Sequence, residues 1–169
     1  FGTNNINGIA YGGGKFVAVG PSGKAAYSTD GVTWTAVSDP NFMGPSEIAY
    51  GGGKFVAVGP SGKAAYSTDG VTWTAVSNST FGTDDIYGIA YGDGRFVAVF
   101  EKGKAAYSTN GVTWAAVGDS TFGTIDITDI EYGNGKFIAG GHDGKMAYGA
   151  IITAQLVLKP DGTVGWVKG

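Results

Sequence analysis

The sequence repeats a unit of about forty residues, and this internal period constrains its fold more than any other feature. A tyrosine followed by glycine marks the same place in each copy, and the four tyrosines are Tyr11, Tyr50, Tyr91 and Tyr132. Residues 9–38 and 48–77 are identical. A regular period of this length is typical of propellers, solenoids and repeat arrays. The chain is therefore expected to consist of four equivalent structural units.

Each repeat contains four short runs of strand-forming residues separated by turn residues. In the first repeat the runs are 7–11, 15–19, 24–28 and 32–37. Glycine, proline and Asp-Gly sequences lie between them, at 12–14, 20–23 and 30–31. Short runs rich in Val, Tyr, Phe and Trp between such turn residues predict strands joined by hairpins.

The second run of each repeat is apolar at consecutive positions instead of alternating. In the first repeat it is Phe-Val-Ala-Val at 16–19. A strand with one wet face alternates, so this pattern indicates a sheet that is covered on both faces. Blades arranged radially between like neighbours meet that requirement, and we predict an all-β propeller of four-stranded blades. It would be a closed four-bladed ring or half of a larger or dimeric propeller. The alternative is a β-solenoid, whose strands would pair from one repeat to the next.

The repeats do not account for the C-terminal end of the chain. We assign them to residues 1–40, 41–79, 80–120 and 121–149, the last being completed by the strand that follows. Two runs at 151–158 and 163–167 flank a Lys-Pro-Asp-Gly sequence at 159–162, which is a turn signal. We expect residues 150–169 to form a β-hairpin that caps the last repeat or makes subunit contacts.

A second motif, Ser-Thr-Asp-Gly-Val-Thr-Trp at 28–34, recurs at 67–73 and, with asparagine in place of aspartate, at 108–114. It resembles the Asp-box of sialidase-type, BNR-like propeller repeats, although the copies here are one residue shorter between Asp and Trp. In such a turn the aspartate accepts backbone hydrogen bonds, the glycine supplies a positive φ and the tryptophan packs between blades. We expect this structural role for Asp30, Trp34, Asp69, Trp73, Asn110 and Trp114.

The side chains that enzymes of this architecture use are missing from the sequence. A sialidase would need three arginines around the substrate carboxylate, and Arg95 is the only arginine. Glycoside hydrolysis needs two carboxylates a few ångströms apart, but the adjacent Asp84 and Asp85 are typical of solvated loop acids. The chain has no cysteine, and His142 is its one histidine, so neither a metal site nor a cofactor is predicted. We predict that the chain is not an enzyme.

The overall charge argues against two further classes of function. The net charge is −3, and the lysines are spread along the repeats, whereas a nucleic-acid binder concentrates its basic residues on one surface. No apolar run approaches the ~20 residues of a membrane span. We therefore expect neither nucleic-acid binding nor membrane insertion.

The strand order indicates where a ligand would bind. The turns at 12–14 and 30–31 lie on one side of a blade, which we call the hairpin face. The turn at 21–23 lies on the other side with the linkers at 41–45, 81–85 and 122–126, and we call that side the linker face. Its loops vary between repeats, and binding residues concentrate on loops held by a rigid scaffold. Candidate binding residues on the linker face are Lys24, Lys63, Lys104, Lys145, Asp84 and Asp85.

Two roles are open for the lysines and for the phenylalanines of the linkers. The lysines could form a ring for an anionic ligand or could be solvated residues that discourage edge pairing. The phenylalanines could plug the space under the loops or could stack on sugars; they are Phe1, Phe42, Phe81 and Phe122.

We expect a non-catalytic module of a secreted, cell-surface or virus-particle protein that binds a glycan or a protein through the linker face. The alternative is a purely structural spacer or assembly block whose C-terminal hairpin makes the subunit contacts. Homo-oligomers or continuation into a longer chain are compatible with either function.

Overall fold

The computed structural model describes residues 5–38, 44–77, 80–118, 120–149, 151–152, 155–156 and 159–160. Strands dominate these residues and form four antiparallel sheets of four strands each, one sheet per repeat. We call the sheets blades 1 to 4 in chain order. No helix in the described segments has the length and apolarity needed to cross a bilayer.

The first two blades are built from the strands β1 Gly8–Gly12, β2 Lys15–Gly20, β3 Lys24–Ser28, β4 Thr35–Ser38, β5 Glu47–Gly51, β6 Lys54–Val58, β7 Ala64–Ser67 and β8 Thr74–Ala75. Blade 3 contains β9 Ile86–Gly92, β10 Arg95–Phe100, β11 Ala105–Ser108 and β12 Ala115–Ala116. Blade 4 contains β13 Ile127–Gly133, β14 Lys136–Gly141, β15 Met146–Gly149 and, after the short β16 Ile151–Ile152 and β17 Gln155–Leu156, the strand β18 Lys159–Pro160. Short 3₁₀ segments join the second and third strands of blades 1, 3 and 4, at Pro21–Gly23, Glu101–Gly103 and His142–Gly144.

All strand pairing in the described part of the chain is antiparallel and stays within one repeat. Each blade is a meander whose first two strands pair through a glycine-rich turn, as in the register of Gly12 with Lys15. A solenoid would require strands paired between repeats, so the solenoid alternative is wrong for the described residues.

The blades pack face to face through three separate hydrophobic clusters. One cluster lies between blades 1 and 2, the next between blades 2 and 3, and the third between blades 3 and 4. The consecutively apolar second strands supply both sides of these clusters. Val56 packs towards blade 3, for example, and its neighbour Phe55 packs towards blade 1. The two-sided burial expected from the sequence is thus observed.

One contact recurs in every cluster, and we call it the Tyr–Gly joint. The tyrosine of each first strand lies against the glycine that ends the first strand of the preceding blade. A Cβ atom on Gly12, Gly51 or Gly92 would be 2.0 Å from ring atoms of Tyr50, Tyr91 or Tyr132, respectively. Within its own blade each tyrosine also packs on a phenylalanine of the second strand, with ring centroids 4.7 Å apart for Tyr50 and Phe55. The joint requires glycine because any side chain would occupy the place of the ring.

At both ends of this row of blades, residues of the described segments are exposed. Ile9 of blade 1 is 54% exposed, whereas Ile48, at the same place in an identical sequence, is 4% exposed. Tyr11 is 60% exposed. At the other end Gly133 is exposed and has no described atom within 4 Å of its Cβ position. No hydrophobic cluster of the described residues joins blade 4 to blade 1.

The exposed surface of blade 1 is confined to part of its face. Ala18 and Ala26, in the middle strands on the same side as Ile9, are buried. The exposed part therefore consists of the inner strand β1 and the neighbourhood of Trp34.

The C-terminal strands differ from the predicted hairpin. Ile151–Ile152 pairs with Gln155–Leu156, so residues 151–158 are not one strand. Lys159–Pro160, predicted as a turn, pairs with β15 and supplies the fourth strand of blade 4. Proline can occupy this place because the outermost strand of a sheet leaves one row of N–H groups unpaired. Residues 163–167 lie outside the described residues, and a capping or assembly role for 150–169 stays a prediction.

Candidate functional site on the linker face

The residues of the motif at 28–34 form a network of hydrogen bonds within one turn on the hairpin face. Oδ1 of Asp30 accepts the backbone N–H groups of Val32 and Thr33, at 2.8 and 2.7 Å, and the hydroxyl of Ser28 at 2.9 Å. Ser28 Oγ in turn accepts the N–H of Gly31, whose φ is +75°. These hydrogen bonds lower the pKa of Asp30 to about 2. Oδ1 is thus occupied within its own turn.

The other two copies of the motif form the same network. Asp69 accepts the N–H groups of Val71 and Thr72 and has a pKa of about 2 for the same reason. In the third copy, Oδ1 of Asn110 accepts the N–H groups of Val112 and Thr113 at 2.8 and 2.9 Å. An amide oxygen is sufficient, so the motif does not need a charge.

Two linker aspartates fasten the linkers to neighbouring turns of the same linker face. Asp85 Oδ1 accepts the N–H of Ser61 at 2.8 Å, and Asp126 Oδ1 accepts the N–H of Lys102 at 2.7 Å. Ser61 and Lys102 occupy equivalent turn positions with positive φ. Asp126 lies one repeat after Asp85 and makes the equivalent hydrogen bond. The same contact therefore fixes two successive linkers.

Asp84 and Lys104 are brought together and form an ion pair with each other. Lys104 Nζ contacts Asp84 Oδ2, and Lys102 Nζ lies 2.8 Å from Asp84 Oδ1 and 2.9 Å from a carboxylate oxygen of Glu101. The hydrogen bonds from Lys102 and Lys104 lower the pKa of Asp84 to about 2. Lys104 is therefore partly neutralised, although all four candidate lysines, Lys24, Lys63, Lys104 and Lys145, are exposed.

A tyrosine that sequence analysis missed lies in the same region of the linker face. Tyr87 is half-buried near the start of β9, on the linker face. Burial and the nearby carboxylates of Asp126, Asp85 and Glu101 raise the pKa of its phenol. We call Tyr87, Asp85, Glu101, Lys102 and Asp126 the Tyr87 patch. Its three carboxylates and one ammonium give it a negative charge.

The repeat itself contained the signal for Tyr87. The other blades have small polar residues at the same place, Asn7, Ser46 and Thr128, and only the third repeat has a large aromatic side chain. A residue that departs from its repeat in size and chemistry is a better marker of a special role than one that follows the repeat.

The linker phenylalanines that the structure describes are plugs. Phe81 is buried with its ring 5.0 Å from those of Phe100 and Trp114. Phe122 is buried in the next cluster. The stacking-platform alternative is therefore wrong for these two, and Phe1 and Phe42 lie outside the described residues.

The described residues do not bring titratable side chains together as a metal site would require. No group of three His, Asp or Glu among them is arranged to hold a metal ion. His142 is exposed in the turn between β14 and β15.

Comparison with known proteins shows the fold. No model of a protein family and none of the curated proteins compared matches the chain. Several solved structures do match. The structure of YCF48 bound to D1 peptide matches at 18% identity over 86% of this chain and 50% of that one, with a TM-score of 0.63. The computationally designed Ika4 protein matches at 12% identity over 88% and 92% of the two chains, with a TM-score of 0.67.

A chain from a nidogen–laminin complex also matches, at 11% identity over 90% of this chain and 62% of that one, with a TM-score of 0.69. This chain spans about half the length of the YCF48 chain that it resembles. Together with the four radially packed sheets, these similarities establish an all-β fold of the β-propeller type.

Proposed function

We propose that this chain is a non-catalytic binding module that takes up a segment of a partner protein at the Tyr87 patch. The observation that carries the proposal is the composition of the patch: a half-buried aromatic side chain near three carboxylates, two of which, Asp85 and Asp126, fix the loops by accepting backbone N–H groups. A rigid site of this kind loses little conformational entropy on binding. The excess of carboxylates favours a segment that contains lysine or arginine.

Two structural neighbours support a protein partner over other ligands. One is YCF48, solved bound to D1 peptide, and the other belongs to a nidogen–laminin complex. An anionic ligand on a lysine ring has less support, because Asp84 already pairs with Lys102 and Lys104. A glycan remains the alternative ligand class, to be separated from a protein by the binding assay.

The test is capture from an immobilised peptide library of basic, neutral and acidic sequences, run beside a glycan array. Tyr87→Asn copies the residue that blade 1 has at this place, and Glu101→Gln removes one carboxylate. Each should weaken binding of basic peptides by about tenfold, which corresponds to about 1.4 kcal/mol. Added salt should weaken it further.

The matched control is Asp93→Asn on the hairpin face, which removes a negative charge and copies Asn134 of blade 4. It should leave binding unchanged. Retention of glycans alone, or equal loss with the control, would contradict the proposal.

We also propose that the module acts outside the cell, at a cell surface or on a virus particle. The absence of cysteine and the low content of charged residues are compatible with that setting. Fractionation of the native source with an antibody against the chain tests it, and recovery only from the cytosol would contradict it.

The exposed ends of the row of blades favour a second function as an assembly block. The observations that favour it are the exposure of Ile9 and Tyr11 at one end and the open space beside Gly133 at the other. In this function the end faces and the C-terminal residues 150–169, whose assembly role stays a prediction, would make the contacts.

A further inference from the structure

We propose that Lys102 is an internal competitor of the ligand: its ammonium pairs with Glu101 in the free chain and is displaced by a lysine or arginine of the bound segment. This inference rests on the proposed function of the Tyr87 patch and adds how that site is regulated. The strength of binding then depends on a side chain of the protein that the ligand replaces, in addition to the side chains that it contacts.

The first step in the argument is that the turn carrying Lys102 differs from its counterparts in side chains and not in backbone. Glu101 and Lys102 stand where blade 2 has Pro60 and Ser61, and blade 1 also has Pro-Ser, at 21–22. The φ of Lys102 is +59°, and that of Ser61 is +55°. The third repeat therefore keeps the left-handed turn and adds a carboxylate and an ammonium to it.

The second step is that the backbone of this turn is fixed while the lysine side chain lies mostly in solvent. The N–H of Glu101 donates to the backbone oxygen of Asp85 at 3.1 Å, and the N–H of Lys102 donates to Asp126 Oδ1 at 2.7 Å. The side chain of Lys102 is 58% exposed. A long, exposed side chain can change rotamer without moving the backbone. Displacing this ammonium therefore leaves both hydrogen bonds of the turn intact.

The third step identifies the carboxylate that a ligand can take over. Asp84 already has two ammonium partners, Lys104 at Oδ2 and Lys102 at Oδ1. Lys102 Nζ also lies 2.9 Å from Oε1 of Glu101. If Lys102 turns away, Asp84 keeps Lys104, whereas Glu101 loses the one ammonium that the described residues give it. An incoming ammonium would therefore replace Lys102 at Glu101.

The fourth step concerns the charge that a ligand meets. Four carboxylates and two ammonium groups make up this acidic region: Asp84, Asp85, Glu101, Asp126, Lys102 and Lys104. The carboxylates outnumber the ammonium groups by two, and without Lys102 they outnumber them by three. Like charges at one site repel each other, and complementary charges favour binding. Lys102 therefore weakens the binding of a basic segment in two ways, by occupying Glu101 and by reducing the negative charge of the region.

The experiment measures the affinity of the whole chain for a labelled tetralysine peptide by fluorescence anisotropy. Lys102→Ser copies Ser61 of blade 2 and keeps the backbone N–H that Asp126 accepts. It should strengthen binding by about three- to tenfold, because the peptide no longer has to displace an exposed ion pair. The matched control is Lys24→Gln, which removes the same charge from an exposed lysine of blade 1 on the linker face. It should change the affinity by less than about twofold, because salt screens exposed charges that are far apart.

A double-mutant cycle separates displacement at Glu101 from a general change in charge. Glu101 shares Lys102 with Asp84 in the unaltered chain and is unpaired in Lys102→Ser. Glu101→Gln should therefore weaken tetralysine binding by a larger factor in the Lys102→Ser background than in the unaltered chain. Residues that interact directly give such non-additive effects, whereas independent residues give additive ones.

The phenol of Tyr87 gives a readout that needs no ligand. Burial and the nearby carboxylates raise its pKa, whereas the ammonium of Lys102 lowers it. Lys102→Ser should therefore raise the pKa of Tyr87 further, and Lys24→Gln should not. NMR titration of isotope-labelled tyrosines measures this pKa, with the signal of Tyr87 assigned from its loss in Tyr87→Asn.

The outcomes distinguish this inference from the proposed function. Absence of tetralysine binding in every variant would contradict both. Binding that Lys102→Ser leaves unchanged, or strengthens no more than Lys24→Gln does, would overturn the role of Lys102 alone. Additive effects of Lys102→Ser and Glu101→Gln would overturn it too, as would a pKa of Tyr87 that does not respond to Lys102→Ser.

Discussion

Blades 1 and 2 share an identical stretch of thirty residues, 9–38 and 48–77, yet the two copies are buried differently. Trp34 is 38% exposed and Trp73 is 3% exposed. Phe55 is fully buried, while its counterpart Phe16 is only half-buried. The hydrogen bonds inside the two turns are the same to within 0.1 Å, as for the N–H of Thr33 and of Thr72. Local sequence therefore determines the turn, and the neighbouring blade determines the burial.

The largest effect should come from truncating the two tryptophans. Trp73→Ala should destabilise the chain by about 3–5 kcal/mol, because it leaves a cavity between blades 1 and 2. Trp34→Ala should cost about 1–2 kcal/mol, because part of its ring is already in water. Urea unfolding of both variants at the same low protein concentration measures the difference. Equal losses would show that the two tryptophans have equivalent surroundings.

The second comparison concerns the glycines of the Tyr–Gly joint. Gly51→Ala forces a methyl group into the ring of Tyr91 and should cost about 1–3 kcal/mol. Gly133→Ala should change the stability of a single chain by less than about 0.5–1 kcal/mol, because the space beside it is open. Thermal unfolding at low protein concentration measures both. A similar loss in the two variants would mean that the end of blade 4 is covered.

The third comparison sets the aspartates of blades 1 and 2 against the asparagine of blade 3. The pKa of Asp30 and Asp69 falls from an ordinary value of 3.8 to about 2 in the folded chain. Both contribute stability that is fully present above pH 3.8 and is lost as the pH falls towards 2. The double variant Asp30→Asn, Asp69→Asn should retain the backbone hydrogen bonds and lose part of this acid sensitivity. Unfolding free energies measured between pH 5 and pH 2 test it, and an unchanged slope would contradict the assignment.

The smallest effect should come from the ion pairs of Asp84. Lys102 and Lys104 are more than half exposed, and exposed ion pairs contribute little to stability. Asp84→Asn should lower the melting temperature slightly at low salt and not at all at high salt. The control is Asp93→Asn, which removes a charge outside this cluster. A large loss that persists in high salt would mean that Asp84 has a structural role beyond its charge.

Much of the fold could be predicted from sequence because its determinants are local. The glycine turns, the apolar second strands and the 28–34 turn each lie within a few residues and recur with the repeat. Solenoid and propeller differ in how strands pair, and consecutive apolar positions distinguished them correctly.

The contacts between blades were less accessible to sequence reasoning. The approach of Tyr50 to Gly12 depends on how two blades face each other, which no single repeat specifies. Asp84 and Lys104 were both candidate binding residues, but their mutual pairing depends on the path of a linker between blades. Pro160 was assigned to a turn because proline is common there, whereas its place in the outermost strand depends on pairing with β15 of the same blade.

The most direct test compares thiol labelling at the two ends of the identical stretch. The chain has no cysteine, so Ile9→Cys and Ile48→Cys give single thiols in the same local sequence. If neighbouring blades determine burial, the thiol at position 9 should react nearly as fast as in an unfolded peptide. The thiol at position 48 should react at least about a hundredfold more slowly, because it becomes accessible only through local opening. Equal rates at the two positions would contradict this account, because they would mean that Ile9 and Ile48 have equivalent surroundings.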